Sequence, residues 1–73
     1  MLIGIPKEIK NHEYRVAVTP AGVRQLADAG HTVRVQSGAA ARIGYLDADY
    51  SAAGAEIVVD APNVYAADLI VKV

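Results

Sequence analysis

The stretch Leu2-Ile3-Gly4-Ile5-Pro6 decides the fold class of this 73-residue chain. A short, continuous apolar run closed by proline is the pattern of a strand buried on both faces of a parallel sheet. Pro6 ends the strand, because proline has no N–H to donate to a neighbouring strand. The first strand is therefore predicted to be covered on both faces of the sheet.

Helix and strand signals alternate along the rest of the chain. Thr19-Pro20 is typical of a helix start, with threonine as the N-cap and proline at the first helical position. Gly30 is the predicted left-handed end of this helix. A second helix is predicted from its N-cap Asp47 to Gly54. The remaining predicted elements are strands at 32–36, 55–59 and 69–73 and a helical turn at 60–67.

This order, βαβαβαβ, predicts an α/β fold with a four-stranded parallel sheet, because right-handed crossovers place such strands in one sheet. We expect a Rossmann-like or flavodoxin-like half domain. In 32–36 the valines share one face while Arg34 points the other way, which predicts an edge strand. The chain stops on a strand of buried type, so the domain is expected to be incomplete at its C-terminus.

The composition is that of a globular domain and excludes several classes of partner. Hydrophobic residues make up 53% of the chain and aromatic residues 5%, all of them tyrosine. Seven basic and eight acidic residues are interspersed, so neither nucleic acid nor a membrane surface is an expected partner. No apolar run approaches the roughly 20 residues of a membrane helix. The absence of cysteine suits a reducing compartment, and a cytoplasmic location is expected.

Few residues are candidates for chemistry. The sequence has neither a GxxxxGK[ST] phosphate loop nor a GxGxxG motif after a strand, so no cofactor-binding residue is assigned. His12 and His31 have no second ligand at metal-binding spacing, so no metal site is assigned. His12 is interpreted as solvated, and His31 as a cation favoured by the C-terminal end of a helix dipole.

Two further pairs have simple explanations. Glu8 and Glu13 could form a carboxylate pair for acid–base chemistry, but solvated side chains are the favoured interpretation in a loop of mixed charge. Tyr45 and Tyr50 flank the start of the second helix, where packing is the default role and stacking on a ligand the alternative.

Arg15 differs from these residues in its position. It follows the first strand, on the loop that leaves the carboxyl edge of the sheet, where open α/β sheets bind their ligands. Its planar guanidinium can hold a carboxylate by two parallel hydrogen bonds and stays charged. From residue type alone, a solvent-facing or ion-paired arginine is favoured over a binding residue.

The sequence around Arg15 favours a binding residue over a solvent-facing or ion-paired arginine. Residues 4–20, GIPKEIKNHEYRVAVTP, resemble the amino-terminal signature of alanine dehydrogenases. The likeness continues through VQSGA at 35–39, DADY at 47–50 and DLIVKV at 68–73, and covers nearly the whole chain. The related proton-translocating transhydrogenases share the GIP…E…RVA.TP frame, whereas KNHEY at 10–14 is more similar to the dehydrogenases.

The resemblance implies a two-domain enzyme that interconverts L-alanine and pyruvate plus ammonia, with NAD as the hydride carrier. Residues 1–73 would be the N-terminal part of its substrate-binding (catalytic) domain, and the NAD-binding domain would be absent. Arg15 matches the family's arginine that binds the substrate carboxylate. The family's substrate-contacting lysine and its catalytic histidine and aspartate fall beyond Val73, and Lys72 does not match that lysine. The resemblance therefore implies no catalytic residue and no bound cofactor in this chain, which is expected to be inactive alone.

One loop departs from the family pattern. Ala39-Ala40-Ala41-Arg42-Ile43 replaces a loop that is usually richer in glycine. Alanine at a position of positive φ would strain or re-route the turn, so the loop is expected to be rebuilt.

Two alternatives remain open beside an alanine dehydrogenase fragment. One is a stand-alone, minimal or reconstructed α/β folding module that self-associates through its open sheet edge without catalysis. The other is an N-terminal fragment of the transhydrogenase alpha subunit. Homo-oligomerisation is expected, with a strand-exchanged dimer as one form.

Overall fold

The computed structural model describes residues 1–7 and 17–72 of the chain. These residues form a four-stranded parallel sheet with helices, which confirms the predicted α/β class. The elements in chain order are β1 Leu2–Ile5, α1 Pro20–Asp28, β2 Thr32–Gln36, a 3-10 turn Ala41–Ile43, α2 Asp47–Ala52, β3 Glu56–Val58, α3 Ala61–Tyr65 and β4 Leu69–Ile70.

The strand order is β3-β2-β1-β4, so β1 lies between two other strands. It pairs with β2 from Leu2 opposite Thr32 to Ile5 opposite Val35. On its other side it pairs with β4, with Gly4 opposite Ile70. The predicted edge position of strand 32–36 is wrong, because β2 lies between β1 and β3.

Helices α1 and α2 cover one face of the sheet. The core on this face joins Val23 of α1 and Tyr50 of α2 to sheet residues that include Ile5, Val33 and Val35. Burial of each such side chain stabilises the fold by about 1.5–3 kcal/mol. This apolar face therefore holds the two helices against the sheet.

The first helix begins and ends where the sequence predicts. Thr19 is its N-cap, and the Thr19 hydroxyl accepts a hydrogen bond from the Gly22 N–H at 3.3 Å. Pro20 occupies the first helical position. Gly30 follows the helix with φ +95°, a left-handed conformation that favours glycine.

Helix α3 lies on the opposite face, directly over Gly4. A Cβ atom built on Gly4 would overlap the Val64 carbonyl oxygen and would lie 3.1 Å from the Ala67 Cβ. Glycine is required here because any side chain would push α3 away from the sheet. The approach of α3 to β1 therefore depends on the missing side chain at Gly4.

Polar side chains line the sheet next to this contact. Arg34 of β2 donates from Nη1 to the Asn63 carbonyl at 3.3 Å, and its Nε lies 3.3 Å from a Glu56 carboxylate oxygen. The Nε approach brings opposite charges together without the alignment of a hydrogen bond. The alternation in β2 thus reflects an apolar face under α1 and α2 and a polar face under α3.

The alanine-rich loop after β2 reaches its turns through glycines. Gly38 and Gly44 take φ of +79° and +93°, whereas Ala40 has φ −128°. The strain expected from a left-handed alanine therefore does not arise at Ala40.

Several predicted boundaries are longer than the observed elements. The strands predicted at 55–59 and 69–73 are shorter, Glu56–Val58 and Leu69–Ile70, and Val73 lies outside the described residues. The predicted turn at 60–67 is α3, Ala61–Tyr65. Among the helices of the described ranges, none has the length and apolar character needed to cross a membrane.

The substitution Gly4→Ala tests the contact between β1 and α3. We expect it to lower the free energy of unfolding by about 3 kcal/mol, because the new methyl group meets main-chain atoms that cannot rotate away. The matched control Gly30→Ala adds a methyl group into open space, and only the left-handed backbone is strained, at about 1 kcal/mol. Urea unfolding measures both values. Equal losses in the two variants would contradict a close approach at Gly4.

Candidate functional site

The order of the strands reverses at one point of the sheet. The chain runs outward from β1 through β2 to β3 and then returns to the far side of β1 as β4. Open parallel sheets bind ligands outside the carboxyl ends of their strands, at the point where the order reverses. Here that point lies beyond Ile5 and Ile70, and we call it the ligand edge.

Two lysines follow the strands that meet at the ligand edge. Lys7 comes two residues after the end of β1, and Lys72 two residues after the end of β4; both are exposed. The Lys7 ammonium lies close to the loop after β2, since a Cβ built on Gly38 would be 3.7 Å from Nζ. Positive charge at this edge favours an anionic ligand.

Asp47 fastens the loop that follows β2. Its carboxylate accepts hydrogen bonds from the Ser37 hydroxyl at 2.5 Å and from the Gly38 N–H at 2.8 Å. Both hydrogen bonds lower the pKa of Asp47, and the bond from Gly38 has the larger effect. Burial raises this pKa by a smaller amount. The carboxylate is therefore held in its ionised form.

The predicted N-cap role of Asp47 is wrong. Asp47 is the first residue of α2, and Leu46 occupies the N-cap position. The Asp49 carboxylate accepts the Leu46 N–H at 2.7 Å, so it supplies part of the expected capping. Asp47 is thereby free to reach the loop at Ser37 and Gly38.

Tyr50 connects the core to the chain before α1. Only 1% of Tyr50 is exposed, and its hydroxyl donates to the Val18 carbonyl at 2.9 Å. Its ring meets that of Tyr45 edge to face, with centroids 6.4 Å apart. Burial raises the pKa of Tyr50, with the neighbouring charges of Tyr45 and Asp49 acting in the same direction. Packing, the predicted role, is confirmed for Tyr50, and its hydroxyl remains a neutral donor.

Most of the sequence candidates lie outside the described residues. These are Arg15, His12, Glu8 and Glu13, and their predicted roles stay predictions. His31 is described: it is half-buried, and its backbone N–H donates to the Leu26 carbonyl at 3.1 Å. Its Nδ1 is buried without a hydrogen-bond partner among the described residues.

Within residues 1–7 and 17–72, no three His, Asp or Glu side chains come together in a group that could hold a metal ion. Asp47, at the carboxyl edge of the sheet, accepts its hydrogen bonds from within the chain.

Sequence reasoning missed two residues at this edge. Gln36 accepts the Lys7 N–H on its side-chain oxygen at 2.8 Å, and Asp47 holds the next loop. Gln36 had no local signal, since its partner is 29 residues away. Asp47 had a signal, an acidic residue at a helix start, which equally fits a cap.

The fold defines an open, parallel α/β domain whose strand order reverses at β1. A family model described as "Alanine dehydrogenase/PNT, N-terminal domain" matches residues 4–73. The chain belongs to this family, as its resemblance to the alanine dehydrogenase signature indicates.

Curated relatives agree with the family assignment. The chain is 55% identical over 74 residues to the alanine dehydrogenase of Mycolicibacterium smegmatis, covering 100% of this chain and 20% of that protein. It is 51% identical over 73 residues to the alanine dehydrogenase of Bacillus subtilis, with 100% and 19% coverage. The chain therefore spans about a fifth of the length of these relatives.

Solved structures share the fold. An L-alanine dehydrogenase superposes with a TM-score of 0.96 at 46% identity, covering 99% of this chain and 20% of that one. A transhydrogenase from Sinorhizobium meliloti superposes with a TM-score of 0.91 at 33% identity, covering 99% and 21%. Both branches of the family thus have this architecture.

The substitution Asp47→Asn tests the contact between α2 and the loop after β2. At neutral pH we expect a loss of about 1–3 kcal/mol in the free energy of unfolding, because the negative charge and one of the two acceptor oxygens are removed. The folded-state pKa is lowered, so this stability is present above the unfolded pKa and is lost as pH falls through the folded pKa. The difference between wild type and variant should therefore shrink on acidification below about pH 4.

Denaturant unfolding across a pH series measures this difference. Asp28→Asn is the matched control, because Asp28 is exposed and pairs only with its helix neighbour Arg24 among the described residues, so little change is expected. A pH-independent difference between wild type and Asp47→Asn would contradict the ionised contact.

Proposed function

We propose that this chain forms the N-terminal part of the substrate-binding domain of an NAD-dependent alanine dehydrogenase. Such an enzyme interconverts L-alanine and pyruvate plus ammonia. The observation that carries the proposal is the match of residues 4–73 to the family, with 55% and 51% identity to the Mycolicibacterium smegmatis and Bacillus subtilis alanine dehydrogenases. The strand reversal at β1 supports it, because the connection that follows β1 leaves from the ligand edge.

Arg15 binds the substrate carboxylate in this proposal. It lies in the connection between β1 and α1, and Lys7, in the same connection, is at the ligand edge. A guanidinium holds a carboxylate by two parallel hydrogen bonds, and this fixes the orientation of a small keto or amino acid as well as its charge. Lys7 and Lys72 add positive charge at the same edge.

The residues of this chain do not fit NAD. The sequence has no glycine-rich dinucleotide loop after a strand, and β1 is followed directly by Pro6-Lys7. We therefore assign NAD to parts of the enzyme outside these 73 residues, and the role of this chain is to bind and orient the substrate.

A transhydrogenase alpha subunit is the second candidate, supported by the TM-score of 0.91 to the Sinorhizobium meliloti protein. The dehydrogenase is preferred because the sequence is 46% identical to the L-alanine dehydrogenase structure and 33% to the transhydrogenase. We place the enzyme in the cytoplasm, in line with the cysteine-free sequence. Assembly of the enzyme into a homo-oligomer is part of the proposal.

A chimera tests the proposal. Residues 1–73 replace the matching segment of the Bacillus subtilis alanine dehydrogenase, and NADH formation from L-alanine and NADH consumption with pyruvate and ammonia are measured. We expect an active chimera. Arg15→Lys should raise the KM for pyruvate about 10–100-fold, because a lysine cannot replace the two-pronged contact to the carboxylate.

The matched control in the chimera is Arg24→Lys. Arg24 is exposed on α1 and paired with Asp28. The KM of the Arg24→Lys variant for pyruvate should therefore equal that of the parent chimera. An inactive chimera, or an Arg15→Lys variant with unchanged KM, would refute the proposal. Transhydrogenation restored by the same segment in the Sinorhizobium meliloti protein, without alanine oxidation in the chimera, would favour the second candidate.

The separate 73-residue polypeptide is expected to reduce no NAD with L-alanine above a blank. The physical reason is that a binding arginine alone supplies neither the hydride acceptor nor the proton-transfer groups of the reaction. Absorbance of NADH measures the turnover, and sedimentation of the same sample shows whether it self-associates. Turnover by the polypeptide would overturn this expectation; self-association without turnover is the behaviour of the folding-module alternative.

A further inference from the structure

A side chain from β2 binds the backbone of the segment that follows β1. Pro6 has no N–H, so the next donor after the strand is the Lys7 N–H. This N–H donates to the side-chain oxygen of Gln36 at 2.8 Å, across 29 residues of sequence. Gln36 is the last residue of β2 and is held in the sheet opposite Val58 of β3. The start of the connection after β1 is therefore attached to the scaffold.

A side chain from α2 binds the backbone of the segment that precedes α1. The Val18 carbonyl accepts the Tyr50 hydroxyl at 2.9 Å, across 32 residues of sequence. The Tyr50 ring is buried in the core with Val23 of α1, so its hydroxyl has little freedom to move. Val18 also packs against α1, because a Cβ built on Gly22 would lie 2.7 Å from Val18 Cγ1. The end of the connection is thus attached as firmly as its start.

We infer that Gln36 and Tyr50 are positioning residues for the substrate carboxylate: through Lys7 and Val18 they fix the two ends of the connection that carries Arg15. The inference rests on the proposed function of Arg15. Neither side chain needs to touch the substrate. Their effect is on the placement of the guanidinium, and small misplacements of a binding group lower efficiency strongly, up to about 100-fold for 1 Å.

Single variants in the chimera give the first readout. Tyr50→Phe removes only the hydroxyl, and Gln36→Met replaces the amide, with its acceptor oxygen, by a thioether of similar length. Each should raise the KM for pyruvate about tenfold, with kcat and the KM for NADH changed less than about twofold. Gln36→Glu keeps an acceptor oxygen but adds a negative charge at the ligand edge. It is therefore compared with Gln36→Met at high ionic strength, where the added charge is screened and most of the affinity should be restored. Tyr65→Phe, an exposed tyrosine on α3 at the other face, is the matched control and should have no effect.

A double-mutant cycle separates positioning from general stability. In the Arg15→Lys background, Tyr50→Phe and Gln36→Met should have almost no further effect on the KM for pyruvate, because the group they position is gone. Additive effects would overturn the inference, as would single variants with unchanged KM while Arg15→Lys raises it. Unchanged KM in Arg15→Lys itself would instead refute the proposed function. Circular dichroism checks folding, and if Tyr50→Phe does not fold, the Gln36 variants decide.

Discussion

The close approach of α3 to β1 at Gly4 is the contact on which the rest of the architecture depends. Because Gly4 has no side chain, the Val64 carbonyl can lie directly against the strand. The chain that leaves α3 then pairs with β1 on the side away from β2, and the Val71 N–H donates to the Gly4 carbonyl at 2.9 Å. This placement of β4 creates the reversal of strand order, and with it the ligand edge.

The two faces of the sheet are stabilised by different physics. Under α1 and α2 the contacts are apolar and close-packed, with Ile5, Val33 and Val35 in the core. Under α3 the sheet presents a glycine and the half-buried Arg34, whose charge is balanced by Glu56. Alternation along β2 therefore came from two differently covered faces of an internal strand, which is why the pattern resembled that of an edge strand.

Polar contacts of long sequence separation govern the loops at the ligand edge. Gln36 holds the exit from β1, Tyr50 holds the return to α1, and Asp47 holds the loop after β2. Loops carry function when a rigid scaffold positions them, and here the scaffold reaches each loop through one side chain. Asp47 is the clearest case, since its carboxylate accepts hydrogen bonds from Ser37 and Gly38 and does not cap its own helix.

The sequence by itself determined the elements whose signals are local. The buried strand at β1, the Thr19 cap, and the end of α1 before Gly30 depend on residues within one or two helical turns of one another, and all three were predicted. The family was also readable from residues 4–20, together with the hypothesis that Arg15 binds a carboxylate. Tertiary structure alone decided the internal position of β2 and the partners of Gln36, Asp47 and Tyr50. The physical reason is that pairing order and side-chain partners depend on which distant segments meet in space, and no short stretch of sequence contains both members of such a pair.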